Sequence, residues 1–184
     1  MAKGLRHKLG QHWPTKPLDR NKTARKPVRE KLDMEKCQQE KDKLRTLYDI
    51  GENELKRYVK KAILSPEDDA EHLLRKLELR LDTVVYRLGF AATHAGACEL
   101  IKSGHVSVNN VILDTPSFPV AHHDQVACKQ TSLQQALVKA GAPPLPPWLT
   151  REGLAGSVRH LPSLHELRRR DVDINCVLEY YAVI

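Results

Sequence analysis

Two adjoining stretches decide the fold: Arg80-Leu81-Asp82-Thr83-Val84-Val85-Tyr86-Arg87-Leu88-Gly89-Phe90, and Gly104-His105-Val106-Ser107-Val108-Asn109-Asn110-Val111-Ile112-Leu113. In the first, Leu81, Val84, Val85 and Leu88 recur at spacings of three and four, which lines one face of a helix. Leu73, Leu74 and Leu77 extend the stripe upstream. The pattern predicts one helix from Ser65-Pro66, with Ser65 as N-cap and Pro66 at the first helical position, to a stop at Gly89. Thr93 then caps a short helix through Ile101, with Ala97, Leu100 and Ile101 inward, and Gly104 closes it. In the second stretch the period drops to two. His105 to Val108 alternates, Asn109-Asn110 tolerates the positive φ of a tight turn, and Val111 to Leu113 returns: a β-hairpin.

Working outward, Pro116 and Pro119 keep the next stretch extended. Gln125 to Lys129 reads as a further strand and Leu133 to Ala140 as a brief helix. Pro143-Pro144-Leu145-Pro146-Pro147 reads as a stiff connector. The irregular tail has scattered apolar anchors, Trp148, Leu149, Leu154, Val158, Leu161 and Leu164. After Cys176 it ends in an apolar run that is either a docked strand or a turn of helix. Upstream, Val28 to Leu47 is a charged helix with Leu32, Leu44 and Leu47 as sparse anchors. Glu52 to Ile63 is a second helix with Leu55, Val59 and Ala62 on one face. Helices followed by a hairpin make an α+β chain.

The chain has 184 residues, 41% apolar and 29% charged, enough for a modest core. No apolar run reaches the roughly 18 to 20 residues that span a bilayer, so no membrane association is expected. The net charge of +7 is unevenly placed. Residues 1–31 hold ten Lys/Arg against Asp19 and Glu30, while the other 153 residues carry 20 bases and 21 acids. This basic arm contains Gly4, Gly10, Pro14, Pro17 and Pro27 and too little apolar surface to fold alone. Such an arm follows phosphate backbones through Lys3, Arg6, Lys8, Arg25, Lys26 and Arg29. A solubility tail or a targeting peptide is the other reading of the same composition.

The four cysteines, Cys37, Cys98, Cys128 and Cys176, form no C-x-x-C half-site, so no metal is expected. Nothing marks secretion, so no disulfide framework is expected either. His122 and His123 are adjacent, and on a strand they would point to opposite faces and chelate poorly. Nucleophile-elbow, Walker, Rossmann and zincin motifs are all missing, so neither catalysis nor a cofactor is expected.

Residues 80–95, Gly104 to Asn110 and Asp114-Thr115-Pro116-Ser117-Phe118 resemble the RNA-binding module of the small-subunit ribosomal protein S-four family. Leu47-Tyr48-Asp49-Ile50 and Leu55-Lys56-Arg57-Tyr58 resemble that family's helical subdomain. Pro147-Trp148-Leu149, Arg159-His160-Leu161-Pro162 and Asp173-Ile174-Asn175 resemble its C-terminal tail. The resemblance runs in order over roughly residues 40–184. It implies three parts: a disordered-like basic arm (1–31), a helical subdomain (32–79) with an extended tail (143–184) packed on it, and the module (80–142). It also implies a structural constituent of the small ribosomal subunit that binds rRNA, supports early assembly and lies near where mRNA enters. Ribosomal protein S-five would be a neighbour, and no homo-oligomer is implied. RNA-modifying enzymes share the module but need a large catalytic sheet domain, for which this chain has no room. A free-standing RNA chaperone or regulatory RNA-binding protein is the alternative, and the tail blocks favour the ribosome.

Double-helical RNA is held through shape, phosphates and 2′-hydroxyls. The residues placed for that are Lys102, Ser103 and His105, where a helix end enters the hairpin, and Thr93 and His94 at the start of the same helix. Arg80 and Arg87, seven apart, would form a two-turn cationic rail unless they pair with Asp82, Glu78 or Glu71. Lys56, Arg57, Lys60 and Lys61 cluster on the second helix. The sequence departs from the family in several places. Its N-terminal zinc-binding cysteine cluster is reduced to Cys37. Ala92, His94 and Cys98 stand where the module is usually basic, and Ala121-His122-His123-Asp124 replaces a Lys-Pro-Gly-Asp turn. Such drift fits an organellar copy. Rare Phe and plentiful Ala, Leu and Pro argue against an AT-biased organelle genome, so a nuclear-encoded mitochondrial protein is expected, with a plastid or the bacterial cytoplasm as the other settings.

Overall fold

The computed structural model describes residues 34–129, 144–167 and 171–183. The basic arm and the helix expected at 133–140 lie outside the described residues. The chain divides into units Met1–Leu32 and Asp33–Ile184, and everything described belongs to the second. Its elements are α1 (Met34–Tyr48), α2 (Glu52–Ile63), α3 (Asp69–Glu78), α4 (Leu81–Arg87), α5 (His94–Lys102), β1 (Val106–Val108), β2 (Val111–Ile112), β3 (Gln125–Cys128), β4 (Leu149–Glu152), β5 (Ala155–Val158), α6 (Leu164–Leu167) and α7 (Ile174–Val183).

The single helix expected between Pro66 and Gly89 is two helices. The apolar stripe is buried throughout, but the backbone extends at Arg80 (φ −69°, ψ 143°). A distant segment supplies the broken ladder. Leu81 N–H donates to the Phe118 carbonyl (2.9 Å), Asp82 N–H to Pro116 (3.0 Å), and Val120 N–H to Leu79 (2.8 Å). Pro116 and Pro119 keep that segment extended enough to do so. The start of the stripe also differs. Asp68 is the N-cap of α3, its carboxylate accepting from the Ala70 and Glu71 N–H groups at 3.1 and 3.0 Å. Ser65 accepts instead from Glu67 N–H, within the preceding turn.

The hairpin turns on Asn109 (φ 49°) and Asn110 (φ 68°), the left-handed pair that a two-residue turn requires. Register is Ser107 opposite Ile112 and Val108 opposite Val111. The sheet is antiparallel with order β2-β1-β3-β5-β4. Its last two strands come from the tail, which corrects the expectation that residues 143–184 pack as a whole on the helical subdomain. Gly156 opposes Val126 and lies against Leu88 and the Thr150 carbonyl, where a Cβ would clash. A bare backbone there lets the tail ribbon close on α4.

Two cores result. One gathers α4, α5, the sheet and Trp148; its centre includes Leu81, Val84, Leu88, Ile101, Val106, Val126 and Val158. The other gathers α1, α2, α3 and the chain end, through Leu44, Leu55, Leu73, Leu77, Leu167, Val172 and Val177. The final apolar run is helix α7, which lies chiefly along α1.

The cysteines correct a further expectation. Cys37 on α1 and Cys176 on α7 form a disulfide with their Cα atoms 4.9 Å apart, across 139 residues of sequence. Packing of the first described helix against the last brings them together, which no local spacing foreshadows. Cys98 and Cys128 are free thiols. His122 and His123 stand in a turn rather than a strand. His123 has φ 69°, and the two rings stack 3.6 Å apart. Among the described residues no group of three or more His, Cys, Asp or Glu could hold a metal.

Candidate nucleic-acid interface

Helix α2 buries Leu55, Val59 and Ala62 on one side. Lys56, Arg57, Lys60 and Lys61 fall on the opposite arc, since residues three and four apart are neighbours on a helix surface. All four are exposed and hold no ion pair among the described residues. The structure thus gathers this expected cluster into one uncommitted cationic surface, about two turns long.

The second group surrounds α5. Thr93 is its N-cap, the hydroxyl accepting from Gly96 N–H at 3.0 Å. Ser103 ends the helix and donates back to the Glu99 carbonyl at 2.7 Å. Both hydroxyls therefore serve the helix itself. Gly104 follows at φ 71°, turning the chain into β1 past His105. Lys102 is exposed at this end. Lys129 joins it, its N–H donating to the His105 carbonyl at 2.9 Å with its side chain exposed. Lys129 did not stand out in the sequence, because only the β1–β3 pairing brings it back to α5.

At the other end of α5, His94 stacks on Tyr86 with ring centroids 4.3 Å apart and meets the edge of Tyr48 at 6.0 Å. It lines an open cleft with Thr46, Asp49, Tyr86, Ala92, Thr93 and Ala95. Its Nε2 is buried with no hydrogen-bond partner among the described residues. Burial holds the imidazole below the ordinary 6.5, against the pull of the Asp82 and Glu78 carboxylates. Since the unfolded chain takes up this proton first, His94 costs nothing above pH 6.5 and destabilises progressively as pH falls below it. His94→Gln should therefore show a smaller drop in urea midpoint than the parent between about pH 7.5 and about pH 5.5.

The cationic rail does not exist as a surface. Arg80 is 3% exposed. Its guanidinium donates through Nε and Nη2 to the two Asp82 oxygens (3.0 and 2.6 Å) and through Nη1 to Glu54 on α2 (2.5 Å). Arg87 makes a bidentate pair with Glu78 at 3.0 and 2.7 Å, and Glu78 also accepts from the Tyr48 hydroxyl at 2.8 Å. Asp82 and Glu78 take these cations as the pairing alternative anticipates, Glu54 joins them, and Glu71 pairs with Arg75 instead. Both arginines tie the α1–α3 core to the α4–α5 core. The arm residues Lys3, Arg6, Lys8, Arg25, Lys26 and Arg29 lie outside the described residues.

An S4 domain matches residues 79–126, which spans the α4–α5 pair, β1 and β2 and the first half of β3. Likeness to whole proteins extends further. The small ribosomal subunit protein uS4 of Vesicomyosocius okutanii is 37% identical over 150 residues, covering 78% of this chain and 72% of that one. That of Mycobacterium avium is also 37% identical, covering 78% of this chain and 75% of its own length. The chain belongs to the uS4 family of small ribosomal subunit proteins. That of Mycobacterium tuberculosis is 36% identical over 154 residues. These uS4 relatives are bacterial proteins. The length matched to these uS4 proteins far exceeds the S4 domain at 79–126.

Proposed function

We propose that this protein is a structural constituent of a bacterial-type small ribosomal subunit and binds small-subunit rRNA directly. The observation that carries this is the extent of the uS4 likeness. It covers 78% of the chain rather than the S4 domain at residues 79–126 alone, which an isolated RNA-binding module would have sufficed to give. The uncommitted cations Lys56, Arg57, Lys60 and Lys61 on α2, with Lys102 and Lys129 beside His105, are the surface that would meet phosphates. The basic arm adds reach and nonspecific affinity through Lys3, Arg6, Lys8, Arg25, Lys26 and Arg29. Within the particle the protein supports early assembly, borders the path where mRNA enters and touches ribosomal protein S-five.

The ribosome in question is mitochondrial in this reading. Support comes from the loss of module cations at Ala92, His94 and Cys98 and from an arm rich in Arg and poor in acids. The bacterial origin of the relatives favours a second placement, in a bacterial cytoplasm. Import of a fluorescent protein fused to residues 1–31 into isolated mitochondria separates the two.

The function itself is tested by sedimentation. Full-length tagged protein should travel with small subunits through a sucrose gradient and move to the top after ribonuclease treatment. Protein found only at the top of an untreated gradient would overturn the ribosomal reading.

A further inference from the structure

The disulfide ties α7 to the one part of α1 that carries no large apolar anchor. The first two turns of α1 expose Met34, Glu35, Lys36, Gln38 and Gln39 and bury only Cys37, Glu40 and Lys41. Apolar anchoring of α1 in its core begins at Leu44. What holds the earlier part is α7. Asp173 N–H donates to Glu40 at 2.9 Å, and the Lys41 ammonium lies 4.7 Å from the Tyr180 ring centroid. Tyr181 donates to Glu52, which in turn pairs with Lys41 at 3.1 Å. Polar contacts of this kind contribute little individually. The one covalent link in the interface joins Cys37, 1% exposed, to Cys176, 9% exposed.

We propose that Cys37 and Cys176 are a thiol–disulfide latch. Oxidation fixes α7 and the first two turns of α1 to each other, and reduction lets both open while the rest of the fold stays closed. The oxidant is a small-molecule disulfide such as oxidised glutathione. The Cys176 thiolate, the more exposed of the two, attacks one sulfur of the oxidant and releases one small thiol. Cys37 then attacks the mixed disulfide and releases the second. One S–S bond breaks and one forms, two electrons pass to the oxidant, and the protons of both cysteines leave on the two small thiols. The near-complete burial of Cys37 makes the closed latch slow to reduce until α7 lifts.

The experiment uses the full-length protein after equilibration with oxidised glutathione or with excess reductant. Alkylation after unfolding should count two thiols, Cys98 and Cys128, in the first sample and four in the second. Amide hydrogen exchange at 34–41 and 174–183 should then be roughly tenfold or more faster in the reduced sample, with 94–102 unchanged. The variant Cys37→Ser/Cys176→Ser should exchange like reduced parent protein and ignore the oxidant. If that variant does not fold, the reduced parent carries the same comparison. Four thiols after oxidant treatment would overturn the latch, as would equal exchange in both samples. Acceleration that also reaches 94–102 would overturn it in favour of a general staple on the whole fold.

Discussion

Arg80→Met should lower the unfolding free energy by about 3 to 5 kcal/mol, because it leaves a carboxylate charged, buried and without its cation. Asp82 is 1% exposed, and its charged donors come from Arg80, with the Thr83 N–H as a neutral donor at 2.7 Å. Glu54 loses its partner at the same time, and with it the link from α2 to α4. Urea unfolding followed by circular dichroism measures the loss. The double variant Arg80→Met/Asp82→Leu should recover much of it, since removing both members of a buried pair is often neutral or stabilising. A single variant as stable as the parent would show that the pair is not the clamp its geometry suggests. Arg87→Ala should follow the same course for the same reason, since Glu78 is itself 5% exposed.

Replacing Lys56, Arg57, Lys60 and Lys61 together by alanine should do the opposite, sparing the fold and removing RNA affinity. Each lost phosphate contact takes about 0.7 to 0.9 from the slope of log K against log salt. Four contacts at about 0.1 M salt thus amount to roughly a thousandfold in binding constant. Filter binding of small-subunit rRNA across a salt series reads both the slope and the intercept. The melt should hardly change, because these four side chains are exposed and outside any ion pair among the described residues. An unchanged slope would move the RNA surface to α5 and the arm.

Those two sets of arginines and lysines differ in a property that local sequence does not carry. Spacing located α2 and α5, and Asn109-Asn110 located the hairpin, because those signals are local: an apolar repeat, a cap at Thr93, a turn. Whether a cation faces water is not local. Arg80 looks like Lys56 in composition, and only Asp82 two residues on hinted at its fate. The α3–α4 break was hidden for a similar reason. Its hydrogen-bond partners are Pro116 and Phe118, some thirty-five residues downstream, while the apolar repeat runs straight through it. The β4–β5 ribbon carries little local signal, because Thr150-Arg151-Glu152 is polar and short. Gly153, with φ 61°, was the available turn signal. Cys37 and Cys176 have no sequence relation at all; they meet because α7 returns to α1.

Arg80 has one more consequence. By joining α2 to α4, it makes the α2 lysines and the α5 end parts of a single solid body. Two charged ends on a flexible hinge would adapt to almost any RNA and lose orientational freedom on doing so. Two ends on a rigid span act as a calliper. If those two ends meet RNA as proposed, they would reward only an RNA whose phosphates already stand at the matching separation, and discrimination would arise from a fixed length rather than from any base.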